Sequence, residues 1–239
     1  MSPDVILTTG TASIAALRAE TQTVPVVFTR VSDPVGQGFV DNLAKPGGNV
    51  TGFSNFEPAI AGKWLQTLKE IAGDIVRVVV IANPETSALD NYFRAVVAVS
   101  GTLGVEPVRA PIHNFDDIES TIAAAADAKG GGLIILPDAL ILNNRAPVIA
   151  AARKYRLPAI YPFRLFAKEG GLVSYGIDTT EQFRGAASYV HRILRGEKPG
   201  DLPVQAPVKF ELVINLTTAK ALGLTISPAL LSIADDLIE

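Results

Sequence analysis

The residues of this sequence best placed for chemistry are polar side chains that come directly after short apolar runs. Thr8-Thr9-Gly10-Thr11 follows Val5-Ile6-Leu7, Ser32-Asp33-Pro34 comes shortly after Val26-Val27-Phe28, and Ser54-Asn55 follows Val50-Thr51-Gly52-Phe53. Asn83, Asp138 and Tyr161 stand in the same relation to three later runs. If each run is a strand of an open parallel sheet, these groups lie at the carboxyl ends of the strands, where ligands bind. Thr9 and Thr11 then offer hydroxyls and backbone N–H groups at a helix N-terminus, suited to a ligand carboxylate or to simple capping. Asp33 can accept from a ligand ammonium or cap the helix expected from Val35. Asp138 and Tyr161-Pro162-Phe163 combine a carboxylate with aromatic walls, which suits an amino-acid-like or aromatic-acid ligand. Singly, each also fits a cap or a packing residue. Tyr175 and Asp178 fall at an expected chain crossing, where a hinge and a ligand contact read alike. On this reading Asp138→Ala and Tyr161→Ala weaken binding and leave the chain folded.

Other chemistries lack their residues. Gly36-Gln37-Gly38 opens like a dinucleotide fingerprint, but Asp41 takes the third glycine position and would set a carboxylate beside a pyrophosphate. No P-loop, Gly-x-Ser-x-Gly elbow or His-Glu-x-x-His occurs. His113 falls in a loop and His191 inside a helix. Cysteine is absent, so a metal site would need carboxylates alone. Neither a cofactor nor a metal is expected, and the enzyme reading is the weakest. The net charge of −3, with Lys and Arg scattered, lacks the electrostatic footprint of a nucleic-acid or membrane-surface binder.

The elements that must position these residues alternate in type. With 239 residues, 48% hydrophobic, and a mean hydropathy of +0.30, the chain has material for strands buried on both faces. Strands are expected at Val5–Thr8, Pro25–Phe28, Asn49–Phe53, Arg77–Ala82, Val105–Ala110, Gly132–Leu136, Ala159–Tyr161, around Val173, and at Phe210–Asn215. Helices are expected at 12–20, 35–43, 57–72, 88–103, 116–128, 145–155, 178–194 and 217–222. Alternation of this kind predicts two α/β lobes, with residues 1–55 and 177–205 in the first and 56–176 and 206–239 in the second. No apolar stretch approaches the roughly 20 residues of a membrane span, and the N-terminus shows no signal-peptide pattern.

Several longer segments, taken in order, resemble one family. They are Pro3-Asp4-Val5-Ile6 with Thr9-Gly10-Thr11, Pro25-Val26-Val27-Phe28, Asp33-Pro34-Val35-Gly36, Lys45-Pro46-Gly47-Gly48-Asn49-Val50-Thr51-Gly52, Gly170-Gly171-Leu172-Val173-Ser174-Tyr175-Gly176 and Lys209-Phe210-Glu211-Leu212-Val213-Ile214-Asn215. Together they are similar to the ABC-transporter substrate-binding proteins related to tryptophan and tyrosine uptake binders. The resemblance implies a type I periplasmic-binding-protein fold of two doubly wound parallel-sheet lobes with ligand in the cleft between them. It also implies an ABC transporter permease as partner and, for the full-length form, a periplasmic or extracellular location, the signal sequence not being present in this chain. Against that pattern the first lobe reads as truncated by about two strands, so the edge of the first strand is expected to be open and to favour a homodimer. A ligand-sensing domain of a regulator shares the fold and stays as the alternative, behind it an α/β enzyme.

Overall fold

A computed structural model describes residues 3–85, 88–126 and 130–239. In chain order its elements are β1 (Ile6–Thr9), α1 (Thr11–Glu20), β2 (Val26–Val31), β3 (Val50–Ser54), α2 (Ile60–Ile71), β4 (Arg77–Ala82), α3 (Leu89–Leu103), β5 (Glu106–Pro111), α4 (Asp116–Ala126) and β6 (Gly131–Ile135). There follow α5 (Ala139–Asn143), α6 (Arg145–Lys154), β7 (Ala159–Tyr161), α7 (Arg164–Lys168), β8 (Val173–Ile177), α8 (Thr179–Leu194), β9 (Phe210–Asn215), α9 (Leu216–Leu222), α10 (Pro228–Ile233) and β10 (Asp236–Ile238). Contacts divide the chain into two compact units, Met1–Glu57 with Ile177–Lys209, and Pro58–Gly176 with Phe210–Glu239.

The first unit holds a parallel sheet in the order β1-β2-β3, with Ile6 opposite Val26 and Val26 opposite Val50. Strand alternation sends Val26 and Phe28 into one core with Ile14, Val50 and Phe39, and Val27 into the other with Ala186, Tyr189 and Ile193 of α8. Beyond β3 the returning chain adds a parallel bridge at Gln205, whose N–H donates to Gly52 O and whose carbonyl accepts from Ser54 N, both at 2.9 Å. Among the described residues β1 has a strand neighbour on one side only, and Leu7 on it is 48% exposed.

One expected helix of this unit does not form. Residues 35–43 run as turns: Gln37 N donates to Asp33 O, but Phe39 N reaches back to Pro34 O and Gly38 takes φ +70. A left-handed glycine after a single turn ends helical propagation. Burial of Phe39 and Val40 in the core, not helical hydrogen bonding, holds the segment.

The second unit has a seven-stranded sheet, β10-β9-β8-β7-β6-β4-β5, around the fully buried β4 core residues Val78 and Val80. From β5 to β8 the pairs are parallel, as is β9 with β10. β9 meets β8 in the reverse sense: Asn215 N donates to Leu172 O at one end, while the Phe210 ring stacks on Tyr175 at the other. The chain therefore leaves this unit at the end of β8 and re-enters beside it. α2 buries Trp64, Leu65, Leu68 and Ile71 on one face, as its helical spacing predicts. α5 and β10 are additions that periodicity does not reveal, being five and three residues long. Thr86 and residues 127–128, expected in a turn and in the end of α4, lie outside the described residues.

Candidate functional site

In the first unit the carboxyl ends of the strands carry a connected set of polar groups. Gly10, at φ +84, precedes α1 and makes no side-chain cap, so Thr11 begins the helix. Its hydroxyl accepts from Ser32 N at 3.4 Å, Asn55 Nδ2 donates to Ser32 Oγ at 3.4 Å, and Gln37 Nε2 donates to Ser32 O at 3.0 Å. Ser32, Ser54 and Asn55 are buried, and Asn55 Oδ1 is a buried acceptor without a hydrogen-bond partner. Ser54 is tied down by the returning chain, its hydroxyl donating to Gln205 O at 3.2 Å. Thr9 points to the exposed side of β1, next to the cluster in sequence but not bonded into it. Asp33, in the left-handed region at φ +48, accepts from Gly36 N at 3.0 Å and so closes the turn that replaces the expected helix.

Two further residues join this set. Arg30 is the extra residue where the β2–β3 register shifts between Thr29 and Val31, with φ +56. Its N–H donates to Gln182 Oε1 at 3.2 Å, and Gln182 Nε2 donates to Ser54 O at 2.5 Å. Burial pushes the Arg30 guanidinium below its ordinary pKa, although an arginine remains protonated at neutral pH. Hydroxyls, a carboxamide and one desolvated cation suit recognition of an anionic or zwitterionic solute. No nucleophile paired with a general base is among them.

Asp178 caps α8 by accepting from Thr180 N at 2.9 Å, and Lys209 Nζ donates to it at 3.5 Å. Desolvation acts to raise its pKa, but the backbone N–H groups of Thr180 and Glu181, with Lys209, outweigh it and hold the carboxyl below the usual range. A depressed carboxylate stabilises the fold above its unfolded-state pKa and loses that contribution as pH falls through the folded value. Asp178→Ala is therefore expected to cost about 1 kcal/mol at neutral pH and almost nothing well below the carboxylate range, as read by urea unfolding at both pH values. Asp178 also lines a cavity of about 420 Å³ within this unit, with Phe53, Ile177, Gln182, Pro207 and Lys209.

In the second unit Asn83, Asp138 and Tyr161 are placed at or just beyond their strand ends and Tyr175 lies within β8, and each has a local structural task. Asn83 Oδ1 accepts from Glu85 N at 2.9 Å, and Asp138 caps α5 by accepting from Ile141 N at 3.1 Å. The carbonyl of Tyr175 accepts from Trp64 Nε1 at 2.7 Å and its ring stacks on Phe210. Tyr161 is 1% exposed and stacked on Phe166 with ring centroids 4.9 Å apart. Desolvation drives its phenol pKa far above normal. Its ring is part of this unit's core, so its removal is expected to cost stability as well. Gly171 confirms how closely the ring is held, since a Cβ there would sit 2.6 Å from it.

The family described as ABC transporter substrate binding protein matches residues 1–238 of the chain. The chain belongs to that family. Among curated relatives it is 28% identical over 223 residues to the "Tyrosine-binding protein" of Clostridioides difficile, an alignment covering 92% of this chain and 63% of that protein. The chain thus spans less than two thirds of the curated relative's length. A solved structure of a conserved domain protein from Vibrio cholerae matches 99% of this chain and 79% of its own at 31% identity, with a TM-score of 0.87. The ABC domain from Streptococcus pneumoniae, solved in complex with L-Trp, matches the same shares at 24% identity and a TM-score of 0.89. These likenesses give the substrate-binding-protein chain its type I periplasmic-binding-protein fold.

Arg30 and Gln182 are the residues of this family member that reasoning from motifs passes over. A signal for each is nonetheless present. Arg30 is a charge inside the apolar run of β2, and Gln182 shares the helical spacing of the buried Ala186, Tyr189 and Ile193.

Proposed function

We propose that this chain is the solute-binding component of an ABC importer. Its ligand is a small amino-acid-like or aromatic carboxylic acid, which it hands to a permease without chemical change. The polar cluster of Thr11, Ser32 and Asn55 with Arg30 at the ends of β1, β2 and β3 carries the reading. It supplies hydroxyl, amide and cationic groups and lacks a reacting pair. Membership of a substrate-binding family with a tyrosine-binding relative supports the same class of ligand. A periplasmic or extracellular location belongs to that role. The net charge of −3 argues against nucleic acid as partner.

Native mass spectrometry of the purified chain, then denaturation and identification of released small molecules, tests the proposal. A stoichiometric amino acid or aromatic acid, recovered unchanged, is the expected result. An empty protein without a thermal shift across a library of such acids would overturn it. The side of β1 that has no strand neighbour among the described residues supports a homodimer, and a monomer by light scattering at micromolar concentration would count against that assembly.

A further inference from the structure

We infer that Arg30 is the residue that recognises the ligand carboxylate and that Gln182 is the positioning residue that holds it for that task, an inference resting on the binding function proposed above. In β2 the even-numbered side chains Val26 and Phe28 enter the core shared with Ile14 and Val50. Continued alternation would carry Arg30 into the same core. The register shift prevents it: Thr29 pairs with Phe53 and Val31 with Ser54, so Arg30 opposes no residue of β3, and Val31 takes the core position. An inserted residue of this kind re-aims a side chain. At φ +56 it also puts a non-glycine residue in a conformation that persists only when its surroundings impose it.

Gln182 imposes it. It occupies a core position of α8, and both ends of its amide are used on backbone: Oε1 accepts from Arg30 N, while Nε2 donates to Ser54 O. One of those groups is the inserted residue's own N–H on β2, and the other is the carbonyl of Ser54, the β3 residue paired with Val31. A buried glutamine that ties the arginine's backbone to the neighbouring strand holds Arg30 at one place. Arg30 itself is half-buried and stands two residues before Ser32, whose hydroxyl accepts from Asn55 Nδ2. A guanidinium removed from bulk water binds a carboxylate through two parallel N–H donors with a geometry that lysine cannot copy.

Isothermal titration of L-tyrosine against L-tyrosinamide, which lacks the carboxylate charge, separates this role from general packing. Arg30→Gln is expected to weaken tyrosine binding about 100-fold, the size of a charge-assisted pair, and tyrosinamide binding less than about threefold. Gln182→Ala should weaken the acid about 10-fold and the amide less, since it acts through Arg30. Should Arg30→Gln fail to fold, Arg30→Lys keeps the charge without the fork and should lose about 10-fold on the acid alone. Equal losses on acid and amide, or none, would overturn the inference while leaving the binding function standing. If tyrosine does not bind but another aromatic acid does, with the same acid-selective loss, the inference stands and the proposed ligand is revised. If no carboxylate binds the unmodified chain, both fall.

Discussion

Trp64→Ala is expected to destabilise the second unit by about 3–5 kcal/mol, the cost of emptying a large aromatic site in a close-packed core. Trp64 is 1% exposed, lies against Tyr92 with ring centroids 5.7 Å apart, and donates from Nε1 to Tyr175 O at 2.7 Å. Trp64→Phe separates the two contributions. It keeps most of the ring but leaves the Tyr175 carbonyl without its donor, for a loss of about 1–3 kcal/mol. Because Trp64 is the sole tryptophan of the sequence, its fluorescence follows unfolding of this unit in the unmodified chain. Circular dichroism in urea serves for the variants. A loss below about 1 kcal/mol in Trp64→Ala would show that the ring does not fill the core as described.

The second large effect is at Tyr161. Its ring stacks on Phe166 at an interplanar angle of 14° and presses against Gly171, so Tyr161→Ala should also cost about 3–5 kcal/mol. Tyr161→Phe keeps the stacked ring and should cost no more than about 1 kcal/mol, with ligand affinity unchanged. Loss of affinity in Tyr161→Phe without loss of stability would return this residue to the binding site.

Asp138 and Asp178 teach a related lesson. Both follow strands, and either could have faced a ligand by position alone. In the structure each carboxylate accepts from a backbone N–H at the start of a helix. A short acidic side chain beside unpaired N–H groups meets that local demand first.

What the sequence determined by itself are the features governed by local pattern. Apolar stretches with adjacent β-branched residues specify β4 and β9, and spacing near 3.6 specifies α2 and α8, because these patterns must bury one face whatever the neighbours are. The long segments such as Lys45–Gly52 and Gly170–Gly176 were enough to point to the family. Tertiary structure alone decided three matters. Residues 35–43 have amphipathic character, but a left-handed Gly38 and burial of Phe39 outweigh helical propensity. Tyr161 stands at a strand end where a ligand contact is plausible, but its direction depends on Phe166 and Gly171, which reach it only through the fold. Arg30 acquires its position from one inserted residue in β2 and from Gln182, 152 positions away along the chain. A register shift leaves no mark in local composition, since it depends on which strand lies alongside, and that is settled by pairing across the whole sheet.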